Sequence, residues 1–224
     1  MKPMTEKHLS ILRRHMVEIV EMHFELSSEE IGTDTLDPDI RRALLAVPRH
    51  LFVPSTLAAL AYQDGPLPIG LDKTISQPFI CAAMLHLAGI GSDVKVLEVG
   101  TGLGYQAAVM AEMGAEVLSV EVVEEFAEAA EARFRTLGYQ VFVKVGDGSR
   151  GWPEHEPFDR IVVTAAAAEP PQELVAELAP GGRMVIPLGR EDVQALSVVE
   201  KDVDGSLGVR QIMPVRFTRL ETSG

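Results

Sequence analysis

The sequence predicts an α/β protein of the doubly wound, Rossmann-like kind. The sheet is mostly parallel, with an antiparallel strand pair at its C-terminal end and a helical, irregular segment before it. Three observations lead there. Short β-branched, apolar runs alternate with helical stretches from residue 94 to residue 188, as a parallel sheet covered on both faces requires. The first run, 94–99, opens onto G-T-G-L-G at 100–104, where glycines let the backbone turn tightly and approach a ligand. The last two apolar runs, 195–200 and 208–217, are joined by D-V-D-G at 202–205, a hairpin signal.

The elements follow in order. Leu9, Leu12, Met16, Ile19, Val20 and His23 recur at three- and four-residue spacing on one helical face. His8, His15 and His23 lack a carboxylate or cysteine to complete a metal site, so no metal is expected. Residues 27–36 read as a loop or a short helical turn. Asp37 is an N-cap and Pro38 a first helical residue, for a helix that runs to about Ala46 and stops before Pro48. Four prolines and two glycines in 48–70, interleaved with large apolar residues, indicate an ordered irregular segment, followed by an apolar helix over 79–88. Beyond it come a strand over 94–99, a helix over 105–113, a strand over 115–121, a helix over 123–137 and a strand over 141–145. A strand over 158–164, a helix over 171–178 closed by P-G-G at 180–182, and a strand over 183–188 complete the parallel part. Trp152 and Phe158 are expected in the core.

The totals bound the function. The 224 residues suit a single domain, 1–224, divided into an N-terminal helical and substrate-binding segment (1–90) and a cofactor-binding core (91–224). Hydrophobic residues make up 46%, which argues against wholesale disorder, and no apolar run reaches the length of a membrane span. The polar start, 1–6, leads into no apolar signal core, and the lone Cys81 can form no internal disulfide, so a cytoplasmic protein is expected. Cys81, in an apolar helix, reads as a small core residue rather than a nucleophile. The formal charge of −13, with no compensating basic run, disfavours a nucleic-acid partner. A monomer is expected.

The glycine turn narrows the chemistry. A dinucleotide fingerprint places a third glycine where Tyr105 stands, so that pattern fails. The acid-x-G-x-G-x-G run from Glu98 to Gly104 instead resembles the first motif of Rossmann-like S-adenosylmethionine-dependent methyltransferases. A nicotinamide or flavin site and a merely structural strand–turn–helix remain alternatives on this stretch alone. Glu121, 23 residues after Glu98 and at the end of the second strand, stands where an acid reaches ribose hydroxyls.

A wider likeness rests on V-P-R-x-x-F-V-P at 47–54, A-Y-x-D-x-P-L-P-I-G at 61–70, T-I-S-Q-P at 74–78 and L-E-V-G-T-G-x-G-Y-Q-A-A at 97–108. It continues through G-D-G at 146–148, G-W-P at 151–153, F-D-R-I-V-V-T-A-A-A at 158–167, P-G-G-R-M-V-I-P at 180–187 and P-V-R-F at 214–217. On these motifs the chain resembles the protein-L-isoaspartate O-methyltransferase family from Val47 onward. Before Val47 the likeness is looser and the 25–39 connection longer than the family's. Asp72 and Lys73 replace a Gly-Gln or Gly-Lys pair, and Ala168 a common proline.

The resemblance implies methyl transfer from S-adenosylmethionine to the free carboxylate of isoaspartyl proteins and peptides. It implies Ser76 as the active-site residue, orienting that carboxylate; without it, helix capping just before Pro78 is the simpler role for the hydroxyl. Cofactor contacts are implied for Glu98, Gly100, Thr101, Gly102, Gly104, Glu121, Asp147 and Gly148. Glu98 would meet loop backbone or the methionine amine, Glu121 the ribose, and Asp147 the adenine amino group; an ordinary turn aspartate is the alternative for Asp147. Thr74, Ile75, Gln77, Pro78, Val215 and Arg216 are the implied substrate contacts. A carboxyl methyltransferase for normal aspartates in a dedicated peptide, and a non-catalytic cofactor-binding module, are the competing functions. A nitrogen methyltransferase is disfavoured because T-A-A-A stands at 164–167, where an Asn- or Asp-Pro-Pro-aromatic run is usual.

Overall fold

A computed structural model describes residues 5–190 and 193–222. Residues 1–4, and with them most of the polar start, lie outside the described residues.

Helix α1 (Glu6–Leu26) buries Leu9, Met16, Val17, Val20 and Phe24 along one stripe. A single turn, α2 (Ser28–Ile31), stops at Gly32, which is left-handed at φ 88°. Helix α3 (Pro38–Ala46) starts as its sequence dictates. The Asp37 carboxylate accepts from the Asp39 and Ile40 amides at 2.7 and 3.4 Å, and Pro38 takes the position that needs no amide donor. His8 and His15 are exposed and His23 is half-buried, and no metal-holding cluster occurs among the described residues.

The segment expected to be irregular contains a small antiparallel hairpin, β1 (Leu67–Gly70) and β2 (Lys73–Ile75). Its turn residues, Leu71 and Asp72, both sit in the left-handed region at φ 48° and 56°. Hairpin turns of this kind normally signal themselves with an asparagine–glycine pair, and neither residue is present, so the hairpin is illegible in the sequence. The left-handed backbone crowds a Cβ against the following carbonyl. The double substitution Leu71→Asn with Asp72→Gly is therefore expected to stabilise the fold by about 1 kcal/mol. Leu71 is 64% exposed, so no core contact is lost. A thermal midpoint that fails to rise would refute this.

Helix α4 (Pro78–Ala88) leads to the main sheet. Its strands are β3 (Lys95–Val99), β4 (Glu116–Glu121), β5 (Val141–Val145), β6 (Phe158–Val163), β7 (Leu178–Arg190), β8 (Val193–Lys201) and β9 (Leu207–Val215). Helices α5 (Tyr105–Glu112), α6 (Glu124–Leu137) and α7 (Gln172–Glu177) make the crossovers. The order is β5-β4-β3-β6-β7-β8-β9; the first five are parallel, and β8 and β9 each pair antiparallel to the strand before. After β3 the chain runs outward to β4 and β5, then returns to β6 on the other side of β3. That reversal opens a crevice at the carboxyl end of β3, beneath the glycine turn. Buried clusters fill both faces, one including α1, α4 and α5, the other Leu97, Leu118, Phe158, Ile161 and Leu174.

Two boundaries and one burial differ from expectation. The P-G-G at 180–182 does not separate α7 from the next strand. Strand β7 begins at Leu178, opposite Phe158, and the extra residues bulge out before Arg183 pairs with Arg160. Strand β9 ends at Val215, so Arg216 and Phe217 lie beyond the ladder. The Gln194 side chain takes over the pairing there, accepting from the Phe217 amide at 2.7 Å and donating to its carbonyl at 3.1 Å. Phe158 is fully buried, but Trp152 is only half-buried, with the Lys144 ammonium 5.4 Å from its ring. No helix among the described residues is long and apolar enough to cross a membrane.

Candidate active site

The glycine turn follows β3, and Gly100, Gly102 and Gly104 all have left-handed φ, at 94°, 54° and 95°. The protein itself demands two of them. A Cβ on Gly100 would lie 2.3 Å from the Thr164 hydroxyl, which donates to the Gly100 carbonyl at 2.8 Å. A Cβ on Gly104 would meet the Phe134 ring at 2.6 Å. At Gly102 the nearest atom would be an Ile69 methyl at 3.4 Å, so this glycine is the one the crevice uses. Gly148 repeats the first pattern: a Cβ there would strike Val99 at 2.4 Å.

Two acids stand below the turn. Register decides what each does. Glu98 pairs opposite Ser119, so Glu121 lies two residues further along β4, at the strand's carboxyl end. Glu121 therefore holds the loop backbone: its carboxylate accepts from Gly102 N at 2.7 Å and Val123 N at 3.0 Å. Glu98, for which loop backbone or the methionine amine was the expected partner, makes no bond to that backbone. It is fully buried and accepts from the Ser119 hydroxyl at 2.5 Å; Ser119 in turn lies 2.5 Å from the Thr101 hydroxyl. The other Glu98 oxygen has no partner among the described residues. Burial pushes its carboxyl up to about 8; the Ser119 bond works against that shift and the Glu121 charge adds to it.

Ser76 lies between β2 and α4. It does not cap the helix, as its position allowed. Asp64 does: its carboxylate accepts from Phe79 N at 3.0 Å and from the Gln77 side-chain amide at 2.8 Å, and it pairs with His23 at 2.8 Å. The Ser76 hydroxyl makes no hydrogen bond among the described residues, while its carbonyl accepts from Arg49 at 2.7 Å.

A cavity of about 320 Å³ joins these parts. Thr74, Ile75, Ser76 and Gln77 form one side; Glu98, Gly100, Thr101 and Gly102 form the other; Val215 and Arg216 close the end. A smaller cavity of about 80 Å³ continues past Gly100 and Gly102 to Glu121 and Gly148. Gly104, Pro78 and Asp147 are structural neighbours and line neither. The Asp147 carboxylate accepts from the Ser149 amide at 2.9 Å and hydroxyl at 2.6 Å, so the turn role is the one its bonds describe.

Several wall residues had no role from sequence. Thr164 fastens the turn from the end of β6 and lines both cavities. Tyr105 and Gln106, which open α5, are buried in the larger wall, and both Gln106 amide atoms lack partners among the described residues. Residues 218–221 cover the smaller cavity, held by the Ala166–Arg219 bridge and the Lys73–Glu221 ion pair. The T-A-A-A run marked Thr164, but nothing in the chain's pattern marks the tail.

The donor set fits an elongated cation with hydroxyls along its length. Two carboxylates, one with an unused oxygen, and an unpartnered carboxamide face a two-lobed space whose turn glycine leaves room for it. S-adenosylmethionine has that shape and charge.

The comparisons agree on one family. The family model for protein-L-isoaspartate(D-aspartate) O-methyltransferase matches residues 23–223. Protein-L-isoaspartate O-methyltransferase 2 of Syntrophobacter fumaroxidans is 51% identical over 210 residues, covering 93% of this chain and 85% of its own. Protein-L-isoaspartate O-methyltransferase 1 of Polaromonas sp. is 47% identical, covering 97% and 93%. A solved protein-L-isoaspartate O-methyltransferase superposes with a TM-score of 0.80 at 29% identity, over 95% of this chain and 66% of that one. A Plasmodium falciparum structure, described as a candidate enzyme of the same name in complex with S-adenosyl-L-homocysteine, shares the fold with a TM-score of 0.79 at 22% identity over 94% and 99%.

Proposed function

We propose, since the chain belongs to the protein-L-isoaspartate(D-aspartate) O-methyltransferase family, a division of labour between the two ends of its crevice. The enzyme transfers the methyl group of S-adenosylmethionine to the free α-carboxylate of L-isoaspartyl residues in damaged proteins and peptides, the start of their repair. The observation that supports the site assignment is Ser76: its hydroxyl has no capping duty, and the residue lines the same cavity as Glu98 and the glycine turn.

The cofactor supplies a methyl on a positive sulfur. Glu98 and Glu121 make its end of the crevice electronegative, and Gly102 leaves room for it. Gly148 bounds the adenine end, and Asp147 shapes the turn just before it. At the other end the Ser76 hydroxyl donates to one carboxylate oxygen and aims the other. No general base is needed, because an aspartyl-type carboxyl with a reference pKa of about 4 is already ionised at neutral pH. A negative oxygen and a positive centre lose charge as they join, so a site that removes water and fixes both groups in line accelerates the reaction. An isoaspartyl unit runs its main chain through the side-chain carbon. Thr74, Ile75, Gln77, Val215 and Arg216 sense that spacing by fixing the peptide on both sides of Ser76, while Pro78 starts the helix behind them. The same proposal takes residues 1–90 as the substrate segment of one domain. The protein would act as a cytoplasmic monomer without nucleic acid, consistent with its charge of −13.

Two peptides that differ only in Asp against isoAsp test this. Methyl transfer to the isoAsp peptide alone is expected. Transfer to the normal Asp peptide would favour the dedicated-peptide function, and cofactor binding with transfer to neither would leave a binding module.

A further inference from the structure

Arg49 is a cation with no exposed surface, and the chemistry above gives it no task. It stands in the short helical turn after α3. Its Nε donates to the Ala61 carbonyl at 2.8 Å and one Nη to the Ser76 carbonyl at 2.7 Å. Its guanidinium lies 4.6 Å from the centre of the Tyr105 ring and interacts with the Tyr105 side chain, while its remaining Nη makes no well-aligned hydrogen bond among the described residues. No carboxylate among the described residues pairs with it: Asp64, the acid that acts on it electrostatically, spends its oxygens on Phe79, Gln77 and His23. A buried charge without a counter-charge is costly, and such charges are usually paired. Ser76 and Tyr105 both line the larger cavity, so Arg49 sits one layer behind its wall, at the end away from Glu121.

We propose that Arg49 is a positioning residue of the carboxylate subsite: it fixes the Ser76 carbonyl and the Tyr105 ring, and its buried charge makes that end of the cavity prefer a carboxylate to its neutral derivatives. The missing counter-ion is then the substrate's own carboxylate, held across one layer of protein. Methylation removes that charge, so the ester loses the attraction that bound the substrate. The crevice is polarised along its length, with Arg49 behind the carboxylate and Glu98 and Glu121 around the sulfonium. Opposite potentials at the two ends oppose binding either ligand backwards.

This inference rests on the isoaspartyl reading, so the wild type is first shown to methylate an isoAsp peptide. Failure there removes the reading, whereas the following measurements address Arg49 alone. The affinity of that peptide is compared with its twin carrying a carboxamide in place of the pendant carboxylate, both on protein saturated with S-adenosylhomocysteine. In the wild type the carboxylate is expected to bind tighter by about tenfold or more. In Arg49→Met that ratio should fall to within about threefold of unity while the affinity for S-adenosylhomocysteine stays within about twofold. Arg49→Lys should keep most of the ratio while weakening both peptides, because the charge remains and the fork is lost. Parallel weakening of both peptides in Arg49→Met, with the ratio intact, would mean a purely structural role and overturn the proposal. So would Arg49→Lys losing the ratio as completely as Arg49→Met. If Arg49→Met does not fold, the wild type alone decides. A ratio set by a buried charge survives a rise to roughly 0.5 M salt, whereas one set by exposed Arg216 collapses as screening shortens to a few ångströms.

Discussion

Ser76→Ala is expected to lower the rate of methyl transfer by about 10²-fold while the dissociation constant of S-adenosylhomocysteine changes by less than about twofold. The split follows from the geometry. Ser76 lines the end of the cavity formed by β2 and α4, away from Glu121 and Gly148 in the smaller cavity. Its loss should therefore misplace the attacking carboxylate and leave cofactor contacts alone. Orientation errors of this kind cost rate rather than cofactor affinity. The variant should also remain as stable as the wild type to within about 0.5 kcal/mol. The hydroxyl makes no hydrogen bond among the described residues, and Asp64 supplies the cap that a serine in this position could have supplied. Equal losses of turnover and cofactor affinity, read from single-turnover kinetics and calorimetry, would remove Ser76 from the chemistry.

Glu98→Gln should move affinity and stability in opposite directions. The Glu98 carboxyl titrates at 4.5 in the ordinary case and is pushed up to about 8 by burial. Between those values the folded protein holds a proton that the unfolded chain has lost. Folding stability without cofactor therefore falls as pH rises from about 4.5 to about 8, and the loss is complete above that. Glutamine keeps an acceptor for Ser119 and cannot ionise. The variant without cofactor should thus be more stable than the wild type by about 1–4 kcal/mol at pH 8–9, with the gap closing toward pH 4.5. Cofactor affinity should fall by about 10²-fold, because a cation then meets a neutral amide. In the wild type near neutral pH, cofactor binding should release a proton, visible by calorimetry in two buffers of different ionisation enthalpy. Matching stability curves for variant and wild type across that pH range would show that Glu98 carries no buried charge.

These two residues also mark how far the sequence reaches. Both line the larger cavity, and both were legible as candidate site residues, Glu98 by its place before the glycines and Ser76 by the motif around it. Their bonds were not. Glu98 is the last residue but one of β3 and Glu121 the last of β4, and one register between the two strands decides that Glu121 holds the loop while Glu98 faces the cavity. Register is a property of two strands together, so a single strand's pattern is silent on it. Ser76 looked like a cap because Pro78 follows; Asp64, 15 residues before Phe79, took that duty through a tertiary contact.

What the chain determined alone was local and periodic. Alternating apolar runs gave the parallel core, Asp37 and Pro38 the start of α3, and the glycine run the crevice. Each rests on near neighbours, where backbone sterics and burial act directly. Tertiary structure alone decided the β1–β2 hairpin with its left-handed Leu71 and Asp72, the Thr164 clamp on Gly100, and the tail over the smaller cavity. It also set Arg49 behind Ser76 and Tyr105, joining residues 27 and 56 positions away. Such pairings are chosen by the packing of the whole core, because a buried polar group must find its partner wherever the fold brings one within reach.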